Sequence, residues 1–164
     1  MLLTTRVPRI NVYLGMSLAK AAPPPLVDAV REVMGGTHQS LTVREGRYVM
    51  LSGCRPHSCD EKGFVWVDTA RNVVIGGLVH FYFGRESGRS LLLWSGQQQA
   101  QGLPEPFLRD FADWNGQWKN GAEEMEQAVA AALPTQANGY AKARLVLPEG
   151  HIIELTPDLQ FHAD

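Results

Sequence analysis

The chain has 164 residues, of which 45% are hydrophobic and 20% are charged. These are ordinary globular values, which exclude a largely disordered chain and favour one domain with its own core. The net charge of −2 and the absence of a basic stripe argue against a nucleic-acid partner. The apolar runs are much shorter than the roughly 20 residues that a membrane span requires, so we expect no membrane insertion.

The first 20 residues mix Thr, Arg, Pro, Asn and Gly with apolar residues. They lack the continuous apolar region and the small-residue cleavage site of a secretory leader. The chain is therefore either cytoplasmic or an exported protein whose leader is not visible in this sequence.

The first predicted element is an apolar helix from Pro25 to Met34. Proline in the first turn is typical of a helix start, and Gly35-Gly36 is typical of a helix end. Apolar residues recur at helical spacing and predict one buried face, namely Leu26, Val27, Val30, Val33 and Met34.

A run of β-branched and aromatic segments follows, and it predicts about five strands. The candidate strands cover residues 41–44, 47–52, 63–69, 72–83 and 89–94. Short polar spacers between them predict hairpins, and therefore an antiparallel meander. The pair Gly76-Gly77 inside the fourth strand predicts a bulge or a bend.

The pattern becomes helical again after residue 104. Apolar residues at a spacing of three to four predict a helix over 104–118, and strong helix formers predict a second helix over 122–133. A final hairpin is predicted over 141–155, with its turn at 148–150. The economical interpretation is one α+β domain over 1–164, with a central antiparallel sheet flanked by helices and a C-terminal helix–hairpin extension at about 121–164.

We predict no catalytic residue, metal or cofactor among the acidic and aromatic residues outside the segment discussed next. Four carboxylates of the predicted C-terminal helices are interpreted as solvated helix faces: Asp110, Asp113, Glu123 and Glu124. The four tryptophans are interpreted as core or interface residues.

The segment whose residue types could support binding or catalysis is residues 53–59, Gly-Cys-Arg-Pro-His-Ser-Cys, between two predicted strands. In a reducing compartment, two cysteines flanking a histidine would suggest metal or redox chemistry. However, the sequence offers neither a second ligand cluster nor a Cys-x-x-Cys motif. In an oxidising compartment, Cys54 and Cys59 would form a short disulfide loop. Such a bridge either stiffens a binding loop together with Pro56 or only closes the end of a hairpin.

His57 lies near the apex of this loop. An imidazole donates hydrogen bonds from one or both ring nitrogens, and therefore suits a cleft lined by carboxylates. The plainer alternative is a solvent-exposed histidine with no special role.

The segment resembles the loop of the periplasmic inhibitors of vertebrate lysozyme, the Ivy family, which has the form Cys-Lys-Pro-His-Asp-Cys. The present loop, Cys-Arg-Pro-His-Ser-Cys, is similar to it in spacing and keeps both cysteines, the proline and the histidine. The flanking segments 48–53, 64–67 and 75–78 also resemble that family, and the resemblance covers about 17–118.

The resemblance implies a small bacterial periplasmic inhibitor, not an enzyme, in which a Cys54–Cys59 disulfide holds the loop. It implies that His57 contacts the two catalytic carboxylates of a c-type lysozyme or related muramidase and plugs the substrate cleft. The implied target-binding residues are His57 and its neighbours Arg55, Pro56, Ser58, Asp60 and Glu61. A homodimer is kept as an option.

Two departures from the family loop leave the target open. Arg55 stands where the family has Lys, which keeps the charge and changes the donor geometry. Ser58 stands where the family has Asp, and Asp60 and Glu61 are candidates to supply that charge. These departures and the C-terminal segment motivate an alternative, an immunity protein against another peptidoglycan-cleaving hydrolase or toxin. A metal protein or enzyme that uses Cys54, His57 and Cys59 is the third hypothesis.

Overall fold

The structure, a computed structural model, describes residues 6–11, 25–36, 39–82, 88–97, 102–130, 140, 142–156 and 158–161. Within these ranges it describes the backbone alone at 58, 60, 80–82, 88–89 and 118–130. The helices and strands of the described residues are α1 Leu26–Met34, β1 Gln39–Arg44, β2 Tyr48–Arg55, β3 Ser58–Asp68, β4 Val73–Tyr82, β5 Gly88–Ser95, α2 Glu105–Ala130, β6 Lys142–Val146 and β7 Ile152–Glu154. The predicted α+β class and the helix that ends at Met34 are confirmed.

The seven described strands form one sheet in sequence order, β1 to β7. Strands β1 to β5 are an antiparallel meander, as the short spacers predicted. Strand β6 pairs in parallel with β5, and β7 is antiparallel to β6. The prediction of about five strands in the sheet is therefore wrong. Helix α2 lies between β5 and β6 in the chain, and this longer connection allows parallel pairing, which a tight turn does not.

Helix α2 is continuous from Glu105 to Ala130, so the predicted division into helices over 104–118 and 122–133 is wrong within the described residues. The chain between the two predicted helices contains one glycine, Gly121, and the helix continues through it. A single glycine costs about 1 kcal/mol relative to alanine in a helix and keeps its backbone N–H. That cost is too small to end a helix. Residues 131–133 lie outside the described residues.

The sheet buries apolar side chains on both faces, because successive residues of a strand point to opposite sides. Phe64 and Trp66 of β3 pack with Phe107 and Phe111 on the α2 face. Val65, between them in sequence, belongs to the cluster on the α1 face. On that face α1 inserts its three fully buried side chains, Leu26, Ala29 and Val33.

Asp110 of α2 is buried, so its interpretation as a solvated helix face is wrong. Its Oδ2 accepts a hydrogen bond of 2.8 Å from Trp66 Nε1, and its Oδ1 lies 2.9 Å from Nε of Arg44. Asp113, one turn further along, is exposed and pairs with the same arginine. These contacts fasten α2 to β1 and β3. The side chains of Glu123 and Glu124 lie outside the described part of the structure.

Gly76 and Gly77 do not form the predicted bulge, because the register of β4 with both neighbouring strands runs through them without a shift. Each glycine instead lies beneath a ring. A Cβ atom at Gly76 would come within 1.9 Å of Trp94, and a Cβ atom at Gly77 would come within 2.5 Å of Phe64. Close approach of the ring therefore explains both glycines.

The turn between β3 and β4 is closed by Asp68. Its carboxylate accepts two hydrogen bonds of 2.7 Å from Arg47, and its Oδ1 also accepts from the backbone N–H groups of Ala70 and Arg71. The hydrogen bonds from Arg47, followed by the backbone N–H groups, hold the pKa of Asp68 at about 2, below its ordinary value of 3.8. The carboxylate is therefore stabilised in the folded chain.

We expect Gly76→Ala to lower the free energy of unfolding by about 1–3 kcal/mol, because the Trp94 ring has to move. The matched control is Gly116→Ala in α2, where a Cβ atom meets nothing within 4 Å. The control should leave stability equal or slightly higher, by up to about 1 kcal/mol. Urea denaturation of the three proteins measures both changes, and equal stability of Gly76→Ala and the parent would contradict the proposed ring contact.

We expect Asp68→Asn to lower stability at neutral pH by about 1–3 kcal/mol, because Arg47 and two backbone donors lose a charged acceptor. A lowered folded-state pKa stabilises the fold above the ordinary pKa of 3.8, and this contribution disappears as the pH falls through about 2. The difference in unfolding free energy between parent and variant should therefore be constant above about pH 5 and should become smaller below pH 4. Denaturation midpoints between pH 2 and 7 measure this difference, and a difference that is unchanged at pH 2 would rule out this linkage.

Candidate functional site

The segment singled out in the sequence is the hairpin that joins β2 to β3. Arg55 lies opposite Ser58, so only Pro56 and His57 form the turn. The strands extend further than predicted, to Arg55 instead of residue 52, and from Ser58 instead of residue 63. Backbone pairing continues through Gly53, Cys54 and Lys62, whose residue types carry little strand signal.

His57 lies at the tip in a left-handed backbone conformation, with φ of 66°. The ring of Pro56 restricts its own φ to about −65°, so the two turn residues have φ values of opposite sign. Histidine tolerates the left-handed region better than most residues other than glycine. Both turn residues are exposed, so the tip presents the histidine to solvent.

A disulfide joins Cys54 to Cys59, with an S–S distance of 2.06 Å and a Cα–Cα distance of 4.9 Å. The bridge implied by the family resemblance is therefore confirmed. Cys54 is buried and lies opposite Lys62, whereas the next residue, Arg55, lies opposite Ser58. Residues 59–61 consequently have no partner on β2. The disulfide closes the hairpin at the place where the regular ladder is interrupted.

The guanidinium group of Arg55 pairs with two carboxylates on different elements. Its Nη1 donates to Glu61 of β3 and its Nη2 donates to Glu32 of α1. The Glu61 side chain is 5% exposed, that of Arg55 is 24% exposed and that of Glu32 is 39% exposed. The hydrogen bond to Glu61, ahead of the Coulombic attraction of both carboxylates, raises the pKa of Arg55 above its ordinary value.

The end of α1 also contacts the base of this hairpin. The backbone N–H of Gly36 donates a hydrogen bond of 3.1 Å to the carbonyl oxygen of Cys54. A Cβ atom at position 36 would lie 2.1 Å from that oxygen, so only glycine allows the approach. Helix α1 is thus joined to the hairpin by a backbone hydrogen bond and by the Glu32–Arg55 ion pair.

The model of the family described as inhibitor of vertebrate lysozyme (Ivy) matches residues 18–117. This match covers more than half of the chain and includes the whole hairpin. The chain belongs to the Ivy family. Neither the curated proteins nor the solved structures contain a significant match. The Ivy match includes α1 and β1 to β5 and ends within α2, so β6 and β7 lie outside it.

The structure places the site residues predicted for this Ivy protein in two groups. Pro56, His57 and Cys59 are exposed at or beside the tip. Arg55 and Glu61, both predicted to contact the target, pair with each other within the chain. The side chains of Ser58 and Asp60 lie outside the described part of the structure. Contact of any of these residues with a target stays a prediction.

The contribution of α1 to the site is not apparent from the sequence. Glu32 and Gly36 precede the loop by about 20 residues, and no local motif links either of them to it. The pair Gly35-Gly36 predicts a helix end, and in the structure Gly36 also approaches Cys54. Two consecutive glycines where one ends a helix are a signal for such close approach, although the partner emerges only from the fold.

Two features of the described residues bear on other functions of this Ivy protein. Neither helix combines the length and the apolarity of a membrane-crossing helix. Within the same residues, His, Cys, Asp and Glu side chains form no group of three or more that could hold a metal ion. Both cysteines are consumed by the disulfide, so neither offers a thiolate as a ligand or nucleophile.

We expect the double variant Cys54→Ala/Cys59→Ala to lose about 2 kcal/mol of stability, the loop-entropy value for so short a loop. Chemical denaturation of the variant and of the parent measures this loss. Addition of reductant should lower the stability of the parent by a similar amount and leave the variant unchanged. A parent whose stability and mass are both insensitive to reductant would contradict the presence of the bridge.

Proposed function

We propose that this Ivy-family protein inhibits a c-type lysozyme by inserting the Cys54–Cys59 loop into the substrate cleft. In this complex the imidazole of His57 donates hydrogen bonds to the catalytic carboxylates. The observation that supports the proposal most directly is the exposed His57 at the tip of a two-residue turn, in a chain that belongs to a family of lysozyme inhibitors.

The chemistry of the two partners is complementary. Lysozyme carries two carboxyl groups in its cleft, one as the general acid and one ionised. An imidazole donates from one ring nitrogen when neutral and from both when protonated, so it serves either acceptor or both. A hydrogen bond to a charged group contributes about 1.5–3 kcal/mol. The hydrogen bonds of His57 to the carboxylates of the lysozyme cleft fall in this class when the carboxylate is ionised.

The shape of the hairpin also suits a cleft. Two paired strands lie about 4.8 Å apart, and a two-residue turn adds little width at the tip. Pro56 and the disulfide restrict the backbone before binding, so association loses less conformational entropy than it would with a free loop. The tip is therefore both narrow and preorganised.

The remaining predicted contacts fall into two groups around His57, one at the rim of the proposed surface and one beneath it. Pro56 lies beside His57 at the tip, and Ser58 and Asp60 follow it on β3. Arg55 and Glu61 have partners within the chain, so we place them beneath the surface as its support. The replacement of the family's loop aspartate by Ser58 removes one charge from the tip itself.

An inhibitor of this kind meets its target outside the cytoplasm. Disulfides form and persist in oxidising compartments, and the Cys54–Cys59 bridge is consistent with the periplasm of a bacterium. We propose that location for the mature protein. The homodimer stays a prediction, which the mass of the protein in solution tests directly.

We expect His57→Asn to weaken inhibition of a c-type lysozyme about 100-fold or more, a typical loss for a central contact residue. Asparagine tolerates the left-handed backbone, so the turn is kept while the imidazole is removed. His57→Ala should lose as much inhibition and about 1 kcal/mol of stability, because alanine tolerates that backbone less well. Lysis of peptidoglycan by the enzyme, titrated with each variant, gives the inhibition constants.

The matched control is His151→Asn, which removes an exposed histidine that precedes β7. It should inhibit as the parent does. Full inhibition by His57→Asn would contradict the role proposed for the imidazole. A parent that leaves c-type lysozyme active, yet captures another peptidoglycan hydrolase in a pull-down, would replace this proposal with the immunity-protein alternative.

A further inference from the structure

We infer that Glu32, Arg55 and Glu61 form a clamp that ties the inhibitory loop to helix α1 and thereby orients His57. In this inference the three are positioning residues, which act through the loop and not by contact with the target. The inference rests on the proposed inhibition of lysozyme, and it adds α1 to the elements that determine how the loop is presented.

The clamp uses the fork geometry of the arginine. Nη1 and Nη2 are separate donors, and each is directed to a carboxylate of a different element, Glu61 on β3 and Glu32 on α1. A planar guanidinium serves two such acceptors at fixed directions, whereas a lysine ammonium is a compact point charge on a flexible stem. Arg55, itself on β2, thereby links α1 to β3.

The clamp lies where the sheet itself gives least support. The register between β2 and β3 shifts after Cys54, so residues 59–61 have no backbone partner on β2. The disulfide closes this gap at one point, and a single covalent link still permits rotation of the tip about it. The Arg55–Glu61 pair crosses the same gap at a second point, which opposes that rotation.

Helix α1 provides a fixed reference for the clamp. Its inward face is fully buried at Leu26, Ala29 and Val33, so the helix is held by the core. Beyond its last turn, Gly36 donates to the carbonyl of Cys54. The Glu32–Arg55 pair adds a link one residue closer to the tip. A continuous set of contacts therefore leads from the core through α1 to the residue that precedes the turn.

The two carboxylates differ in burial, and this difference makes the inference testable. Glu61 is almost completely buried, so removal of its partner leaves a buried charge and endangers the fold. Glu32 is more than a third exposed, and exposed ion pairs contribute little to global stability. Glu32→Gln therefore loosens the clamp while the fold stays intact.

The experiment compares Glu32→Gln with Asp28→Asn in the full-length chain. Asp28 lies one turn earlier in α1, and its ion pair with Arg31 is exposed and does not reach the loop. Both variants remove one carboxylate charge and one ion pair from the same helix. The measurements are the inhibition constant for a c-type lysozyme, the unfolding midpoint, and amide hydrogen exchange of residues 57–61 in the free protein.

We expect Glu32→Gln to weaken inhibition about three- to tenfold and to accelerate exchange in the loop by a similar factor. Asp28→Asn should match the parent in both measurements, and both variants should unfold at similar midpoints. In a His57→Asn background, Glu32→Gln should cause no further loss of inhibition, because the clamp acts through the histidine. Arg55→Lys, which keeps one cation without the fork, should weaken inhibition as Glu32→Gln does.

Three results would overturn the inference. Equal amide exchange in the loop and equal inhibition for the Glu32 and Asp28 variants would show that the clamp does not restrict the loop. Faster exchange without weaker inhibition, or a full-sized loss that persists in the His57→Asn background, would show that it does not act through His57. If the parent chain fails to inhibit, the proposed function fails. The exchange rates then test the clamp independently of inhibition. Faster exchange in Glu32→Gln than in Asp28→Asn would support the clamp, and equal rates would overturn it.

Discussion

The reversal of the chain between β2 and β3 within two residues is the constraint on which the rest of the site depends. Pro56 has one accessible φ region, and the residue after it lies in the left-handed region. That residue is His57, with φ of 66°. Both turn residues are exposed, so the turn presents the histidine to solvent.

Such a turn needs support, because the backbone ladder beneath it is interrupted. Three kinds of contact supply the support: a covalent bridge between Cys54 and Cys59, the ion pairs of Arg55, and the hydrogen bond from Gly36 to Cys54. The disulfide and the Arg55–Glu61 pair join β2 to β3, whereas the Glu32–Arg55 pair and the Gly36 hydrogen bond join the end of α1 to β2. The site is thus an exposed two-residue turn that is supported from beneath by contacts with β3 and α1.

The sheet serves as the platform for this turn. Its two faces are covered by α1 and α2, and the rings of Trp94 and Phe64 lie on glycines of β4 on opposite faces. Asp110 adds a polar fastening between α2 and the strands. Because both faces are packed, the position of α1 is determined by the core. The contacts of α1 with the loop are therefore made from a helix whose position is fixed by the core.

The order of the meander, the α+β class, the helix that ends at Met34 and the bridge between Cys54 and Cys59 were predicted from the sequence alone. Alternating apolar residues, turn residues and the spacing of Cys, Pro and His are local patterns. Local patterns can be interpreted without knowledge of the tertiary structure. The parallel pairing of β6, the burial of Asp110, the rings over Gly76 and Gly77, and the partners of Arg55 were decided only by tertiary structure. Each of these depends on a residue distant in the chain, and neither periodicity nor composition specifies which distant residue a side chain meets.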